Sequence, residues 1–170
     1  MGMNDKIAVE EDILQLVSFQ LLDEPFAINV AYVQEIIRIQ AITDVPHAAG
    51  HILGVINLRG QIIPVIDLKV KFGLERNENT GATRIVVVNV NSTVVGMVVD
   101  SVSEVIRLDS GSVEPPSPVI SSIDSDYLQG VGKQGEKMIM LLDIEKILSA
   151  GGVTPTVSEL ESNISGLLED

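Results

Sequence analysis

The chain has 170 residues, enough for one domain with a substantial core or for two small subdomains that share one. Its 24 acidic residues against 11 basic ones give a net charge of −13, which excludes sequence-independent binding to nucleic acid or anionic lipid. With 45% hydrophobic residues, 3% aromatics and no cysteine, the chain must fold around an aliphatic core, without disulfides, thiolate metal sites or thiol chemistry.

Residues 1–12 are polar and read as a flexible tail, with no basic start and apolar core of a signal peptide. Strand-type apolar runs then recur: Leu16–Phe19, Val55–Ile56, Ile62–Ile66, Ile85–Val88, Val94–Val95 and Met138–Leu142. All are too short to span a bilayer as helices, and a cytoplasmic protein is expected. Between the second and third runs, Asn57-Leu58-Arg59-Gly60 reads as a hairpin turn, with Gly60 able to take positive φ. Asp67 and Asp143 have the character of N-caps for short helices at 68–72 and 144–148, stopped by Gly73 and by Gly151-Gly152. Residues 151–170 carry four acids and no base, with Leu160, Ile164, Leu167 and Leu168 at helical spacing, and read as a loose tail or a weak amphipathic helix docked on the body.

The chain repeats itself. Glu35-Ile36-Ile37-Arg38-Ile39 returns 69 residues later as Glu104-Val105-Ile106-Arg107-Leu108. At an offset of 76, Gly54-Val55 matches Gly130-Val131, Ile63 matches Ile139 and Asp67 matches Asp143. The seven extra residues fall in the Ser/Pro-rich stretch 110–122, where insertion is cheap. Each half therefore reads as two strands, the Glu-[Ile/Val]-Ile-Arg segment, a loop, a hairpin and a short helix. The expectation is a mainly β protein: two five-stranded barrels from an internal duplication, sharing a hydrophobic core, with short helices. The expected extents are 13–80 and 81–150, with exchange of strands between them allowed.

Catalytic sets are not evident. His47 and His51 are four apart, but Pro46, Gly50 and Gly54 argue for loops over a metal-binding helix. There is no Gly-x-Ser-x-Gly elbow, no Walker-type loop and no Gly-x-Gly-x-x-Gly after a strand. Arg59 stands out, beside a tight turn with its planar fork free to pair, and Glu35 is the candidate partner. That pair reads either as a surface ion pair or as the orienting element of a protein-binding face.

The string Gly54-Val55-Ile56-Asn57-Leu58-Arg59-Gly60-Gln61-Ile62-Ile63-Pro64-Val65-Ile66-Asp67-Leu68 resembles the most characteristic block of the CheW family. The resemblance continues through Val94–Val105, Tyr127–Gly132 and Met138–Leu148, and covers about residues 13–149. It implies two SH3-like barrels and no enzyme activity or cofactor. It also implies an adaptor that couples methyl-accepting chemoreceptors to the chemotaxis histidine kinase, at membrane-associated receptor arrays. The implied receptor-facing groove involves Val33, Glu35, Gly54, Asn57, Arg59, Gly96, Val102 and Val105. Gly54, Gly96 and Val102 also suit purely structural roles. The implied kinase contact, to that enzyme's two-barrel regulatory domain, uses Ile36 and Ile62, with a second contact in the loop 114–120. The protein alone is expected to be a monomer. The rival readings are a small-ligand barrel, for which aromatics are scarce, and a hydrolase built on Ser, His47 or His51 and an acid.

Overall fold

The computed structural model describes residues 13–48, 50–116 and 123–149; the tails read at 1–12 and 151–170 lie outside them. Eleven strands are described: β1 (Ile13–Leu21), β2 (Glu24–Asn29), β3 (Val33–Arg38), β4 (Ile52–Leu58), β5 (Gln61–Asp67), β6 (Arg84–Val90), β7 (Thr93–Val99), β8 (Ser101–Asp109), β9 (Val113–Glu114), β10 (Leu128–Gln134) and β11 (Lys137–Leu142). Two short helices, α1 (Leu68–Lys71) and α2 (Ile144–Ser149), follow β5 and β11. The Asp67 side chain accepts from the Lys69 N–H at 2.9 Å and the Asp143 side chain from the Lys146 N–H at 3.1 Å, so both expected caps are in place. Gly73, at φ +73°, closes α1 as expected, its N–H reaching the Val70 carbonyl.

The strands form two sheets, ordered β3-β6-β7-β5-β4 and β8-β1-β2-β11-β10-β9. A division at residue 80 does not separate them. β1 and β2 lie in the sheet completed by β8–β11, while β6 and β7 lie with β3–β5. The six-stranded sheet exceeds the expected five by β9, whose two residues pair with β10. Each sheet curls into an SH3-like barrel whose hydrogen-bonded ladder stops short of closure. The seam is spanned by the chain itself: β8 runs through a 3-10 turn into β9, and Thr43, just past β3, bridges to Val55 of β4.

The duplication is written into the register. Val65 pairs in parallel with Gly96, and their counterparts Leu141 and Ala27 pair in parallel as well. Ladder irregularities at 33/35 and 52/54 recur at their counterparts on β8 and β10. The turns Leu22-Asp23 and Asn91-Ser92, 69 residues apart, both have positive φ at both positions, the signature of two-residue type I′ hairpins.

Three apolar clusters explain the strand sequences. Leu16, Ala27, Ile106, Leu108, Ile139 and Leu141 fill one barrel; Ile56, Ile63, Val65, Ile85, Val87 and Val98 fill the other. Between the barrels lies a third cluster that includes Val17, Phe19, Phe26 and Ile28 of one sheet and Val86, Val88, Val95 and Met97 of the other. β6 is covered on both faces, which is why Ile85-Val86-Val87-Val88 does not alternate with polar residues. The few aromatics all belong to this shared core. Phe19, Phe26, Phe72 and Tyr127 form a row of rings with successive centroids 6.2, 6.3 and 5.6 Å apart, and Tyr32 packs on its rim.

Candidate functional site

The β4–β5 hairpin presents the most distinctive local geometry. Its turn residues Arg59 and Gly60 have φ of +53° and +84°, so the connection is of the type I′ kind. Positive φ was expected of Gly60 alone. For arginine this backbone costs on the order of 1 kcal/mol. Asn57 holds the turn: its Oδ1 accepts from the Gly60 N–H at 2.9 Å. The Arg59 guanidinium donates to the Glu35 carboxylate, tying the turn to edge strand β3. The Gln40 amide, donating to the Asn57 carbonyl at 3.3 Å, makes a second link across the same seam. The Arg59 side chain remains 69% exposed and that of Glu35 22%, so the pair is a weak tie presented to solvent.

The repeat shows what the fold requires here. The counterpart of Arg59 is Gly135, also at positive φ (+63°). Glycine satisfies the turn without strain, so Arg59 retains its side chain against a backbone cost.

The remaining candidates divide. Gly54 sits at φ +148°, and a Cβ there would lie 2.1 Å from the Thr43 carbonyl oxygen. Its counterpart Gly130 faces the Glu114 carbonyl oxygen at 2.6 Å in the same way. Both glycines are required by the strand that crosses the seam. At Gly96 a Cβ would meet Ile85 Cγ2 at 2.8 Å. Val33 and Val102, related by the repeat, pack against the shared core. Val105 is 61% exposed on β8 of the other sheet, while Ile36 on β3 and Ile62 on β5 are about 40% exposed. The structure thus brings Glu35, Asn57 and Arg59 together at one seam and places Val102 and Val105 on the other barrel. Of the loop 114–120, residues 117–120 lie outside the described residues.

His47 lies in a turn with φ +62°, and His51 immediately precedes β4, where its carbonyl accepts from the Asp67 N–H. They share no helix, and among the described residues no group of three His, Asp or Glu side chains is placed to hold a metal.

A polar cluster that the sequence did not flag joins the barrels. Lys69 of α1 is buried and donates to Asp100 Oδ1 at 2.5 Å and to the Asn77 side chain. Asp100 is the single residue between β7 and β8, where the chain passes from one sheet to the other, and its other oxygen accepts from the Leu22 N–H at 2.8 Å. Burial raises the Asp100 pKa, but hydrogen bonds from Lys69 and Leu22 and the Lys69 charge outweigh it and hold the carboxyl below its ordinary value. Arg76 lies 3.5 Å from Asp67 beside the same cluster. A cavity of about 220 Å³ opens here, lined by Ile39, Ile42, Leu53 and Val98 as well as Asp67, Lys69 and Arg76. Its lining charges are engaged in ion pairs, Lys69 with Asp100 and Arg76 with Asp67.

Two barrels from a duplication, with exchanged strands and a rim ion pair on the Asn-Leu-Arg-Gly turn, define the class: a double SH3-like barrel. A family model described as the CheW-like domain matches residues 15–151, and the chain belongs to that family. It is 39% identical over 148 residues to the chemotaxis protein CheW of Klebsiella aerogenes, covering 85% of this chain and 87% of that protein. Identity to the chemotaxis protein CheW of Treponema pallidum is 34%, again over 148 residues, with the same coverage. Among solved structures, the scaffolding protein CheW of Thermoanaerobacter tengcongensis superposes with a TM-score of 0.76 at 37% identity, covering 82% of this chain and 90% of that one. Among the described residues no helix is long and apolar enough to cross a membrane.

Proposed function

We propose that this chain is a non-enzymatic adaptor that couples methyl-accepting chemoreceptors to the regulatory domain of a chemotaxis histidine kinase, working at cytoplasmic receptor arrays. Family membership supports the adaptor class. The observation that carries the site is Arg59, held in a left-handed turn where the repeat uses glycine, and aimed at Glu35. An exposed arginine kept against a backbone cost suits an anchor for a partner carboxylate or carbonyl.

In this reading Glu35, Asn57 and Arg59 form the polar part of the receptor-facing groove. Val33, Val102 and Val105 supply apolar contacts, and Gly54 and Gly96 shape the strands beneath. Ile36 and Ile62 form the apolar kinase contact. The two proposed contacts adjoin, since Asn57 and Ile62 are cross-strand partners, so single substitutions are needed to tell them apart. Wild type, Arg59→Ala and Glu35→Ala are to be compared for binding to a kinase regulatory domain and to a receptor cytoplasmic fragment. The expected result is unchanged kinase binding with receptor binding weakened about tenfold, the loss typical of one interface anchor. Failure of folded wild type to bind either partner refutes the adaptor reading.

A further inference from the structure

Arg38 of β3 and Arg84 of β6 are direct cross-strand partners. Like charges placed opposite each other destabilise a sheet. In a chain of net charge −13, carboxylates to neutralise them are plentiful, yet among the described residues neither guanidinium meets one. Arg84 is also held in place: its Nη1 donates to the carbonyls of Gly81 and Thr83, both at 2.9 Å. The rest of its fork is left to another acceptor. Ile36, two residues from Arg38 and so on the same face of β3, is 40% exposed. The strip therefore combines two positive charges, that of Arg84 held in place, with one apolar side chain.

The duplicated half supplies the control. There Arg107 stands for Arg38, and its cross-strand partner is Gln15, the counterpart of Arg84. The fold accepts glutamine at this position, so the strand pairing itself does not require the second arginine.

A segment of matching chemistry lies in the same chain. Residues 159–170 carry Glu159, Glu161, Glu169 and Asp170 with no basic residue, and Leu160, Ile164, Leu167 and Leu168 recur at helical spacing. From the end of α2 at Ser149, the nine residues 150–158 reach on the order of 30 Å before this segment begins. The radius of gyration of a domain this size is roughly 15 Å. We propose that this acidic, apolar segment docks within its own chain on the Ile36–Arg38–Arg84 strip. Docked there it covers Ile36; that this masks a kinase contact rests on the function proposed above, whereas the contact itself does not.

The absence of native cysteine makes the test direct. A nitroxide is attached to the full-length chain at Ser162→Cys, and amide signals are compared with the label oxidised and reduced. The proposal expects the Ile36, Arg38 and Arg84 amides to lose more than half their intensity. Most of it should return in an Arg38→Gln/Arg84→Gln variant: the duplicate carries glutamine at the counterpart of Arg84, and Arg38 is exposed on an edge strand. Undiminished signals at these three residues, or broadening that the double variant leaves unchanged, overturns it. So does equal broadening in a mixture of isotope-labelled unmodified chain and spin-labelled unenriched chain, which would make a second copy the occupant.

Discussion

Lys69 and Asp100 meet at 2.5 Å where the chain crosses from one barrel to the other, the lysine buried and the aspartate side chain 20% exposed. Lys69 belongs to α1 on one sheet, whereas Asp100 also fixes the Leu22 N–H in the β1–β2 turn of the other. One carboxylate thus ties together the helix, the hairpin and the crossover.

The unequal burial of the two partners predicts unequal costs of removing them. Asp100→Ala leaves a buried ammonium without its counter-charge and should cost about 3–5 kcal/mol. Lys69→Met, which keeps the aliphatic stem and leaves the carboxylate access to water, should cost distinctly less. Urea unfolding of the two variants checks the order; equal losses would show that the pair acts only as a surface tie.

The same pair sets a pH dependence. The folded Asp100 pKa lies below its ordinary value of 3.8, so the unfolded chain takes up the proton first as pH falls. Its contribution is complete above the unfolded value and is lost as pH drops through the folded one. Stability of wild type should therefore fall more steeply below about pH 4 than that of Asp100→Asn, measured by urea midpoints between pH 5 and pH 2.5.

Two glycines of the Gly54–Leu68 string separate fold from turn. Gly54→Ala drives a methyl onto the Thr43 carbonyl, a rigid backbone atom, and should be severely destabilising or prevent folding. Gly60→Ala meets nothing within 4 Å and pays only for its positive φ, about 1 kcal/mol. Thermal melts of both proteins distinguish the cases.

Arg59→Gly should keep or slightly raise stability, by up to about 1 kcal/mol, because relief of the left-handed backbone offsets loss of an exposed ion pair and added chain entropy. Receptor binding should nevertheless fall as far as it does for Arg59→Ala. A glycine variant that is both folded and fully active would remove Arg59 from the site.

Phe26 joins two ring contacts in the shared core and is fully buried. Phe26→Ala should cost about 3–5 kcal/mol and unfold both barrels in one transition, since the cavity opens in the layer they share. Hydrogen exchange showing one barrel intact would contradict that coupling.

Much of the candidate site was legible because it is local. The Asn-Leu-Arg-Gly turn announces itself through Gly60, and the Glu35 partner was suggested by the only other segment as strongly marked. The left-handed Arg59 was not legible, because arginine gives no conformational signal; the repeat discloses it through Gly135 once the register is known. Lys69 was missed for a related reason. In Leu68-Lys69-Val70-Lys71 it looks like any solvated lysine of a short helix, and its counter-charge lies 31 positions away.

The sequence by itself determined the duplication, the hairpins, the two aspartate caps and the aliphatic, mainly β character. These follow from turn chemistry, capping and periodicity, which act within a few residues of each other. Only the tertiary structure decided which strands share a sheet, that β1–β2 and β6–β7 exchange partners, and which apolar face fills a barrel and which joins the two. The physical reason is that an apolar residue records its need for burial but not its partner. Ile85 and Val86 are adjacent and alike, yet one fills a barrel and the other the layer between barrels.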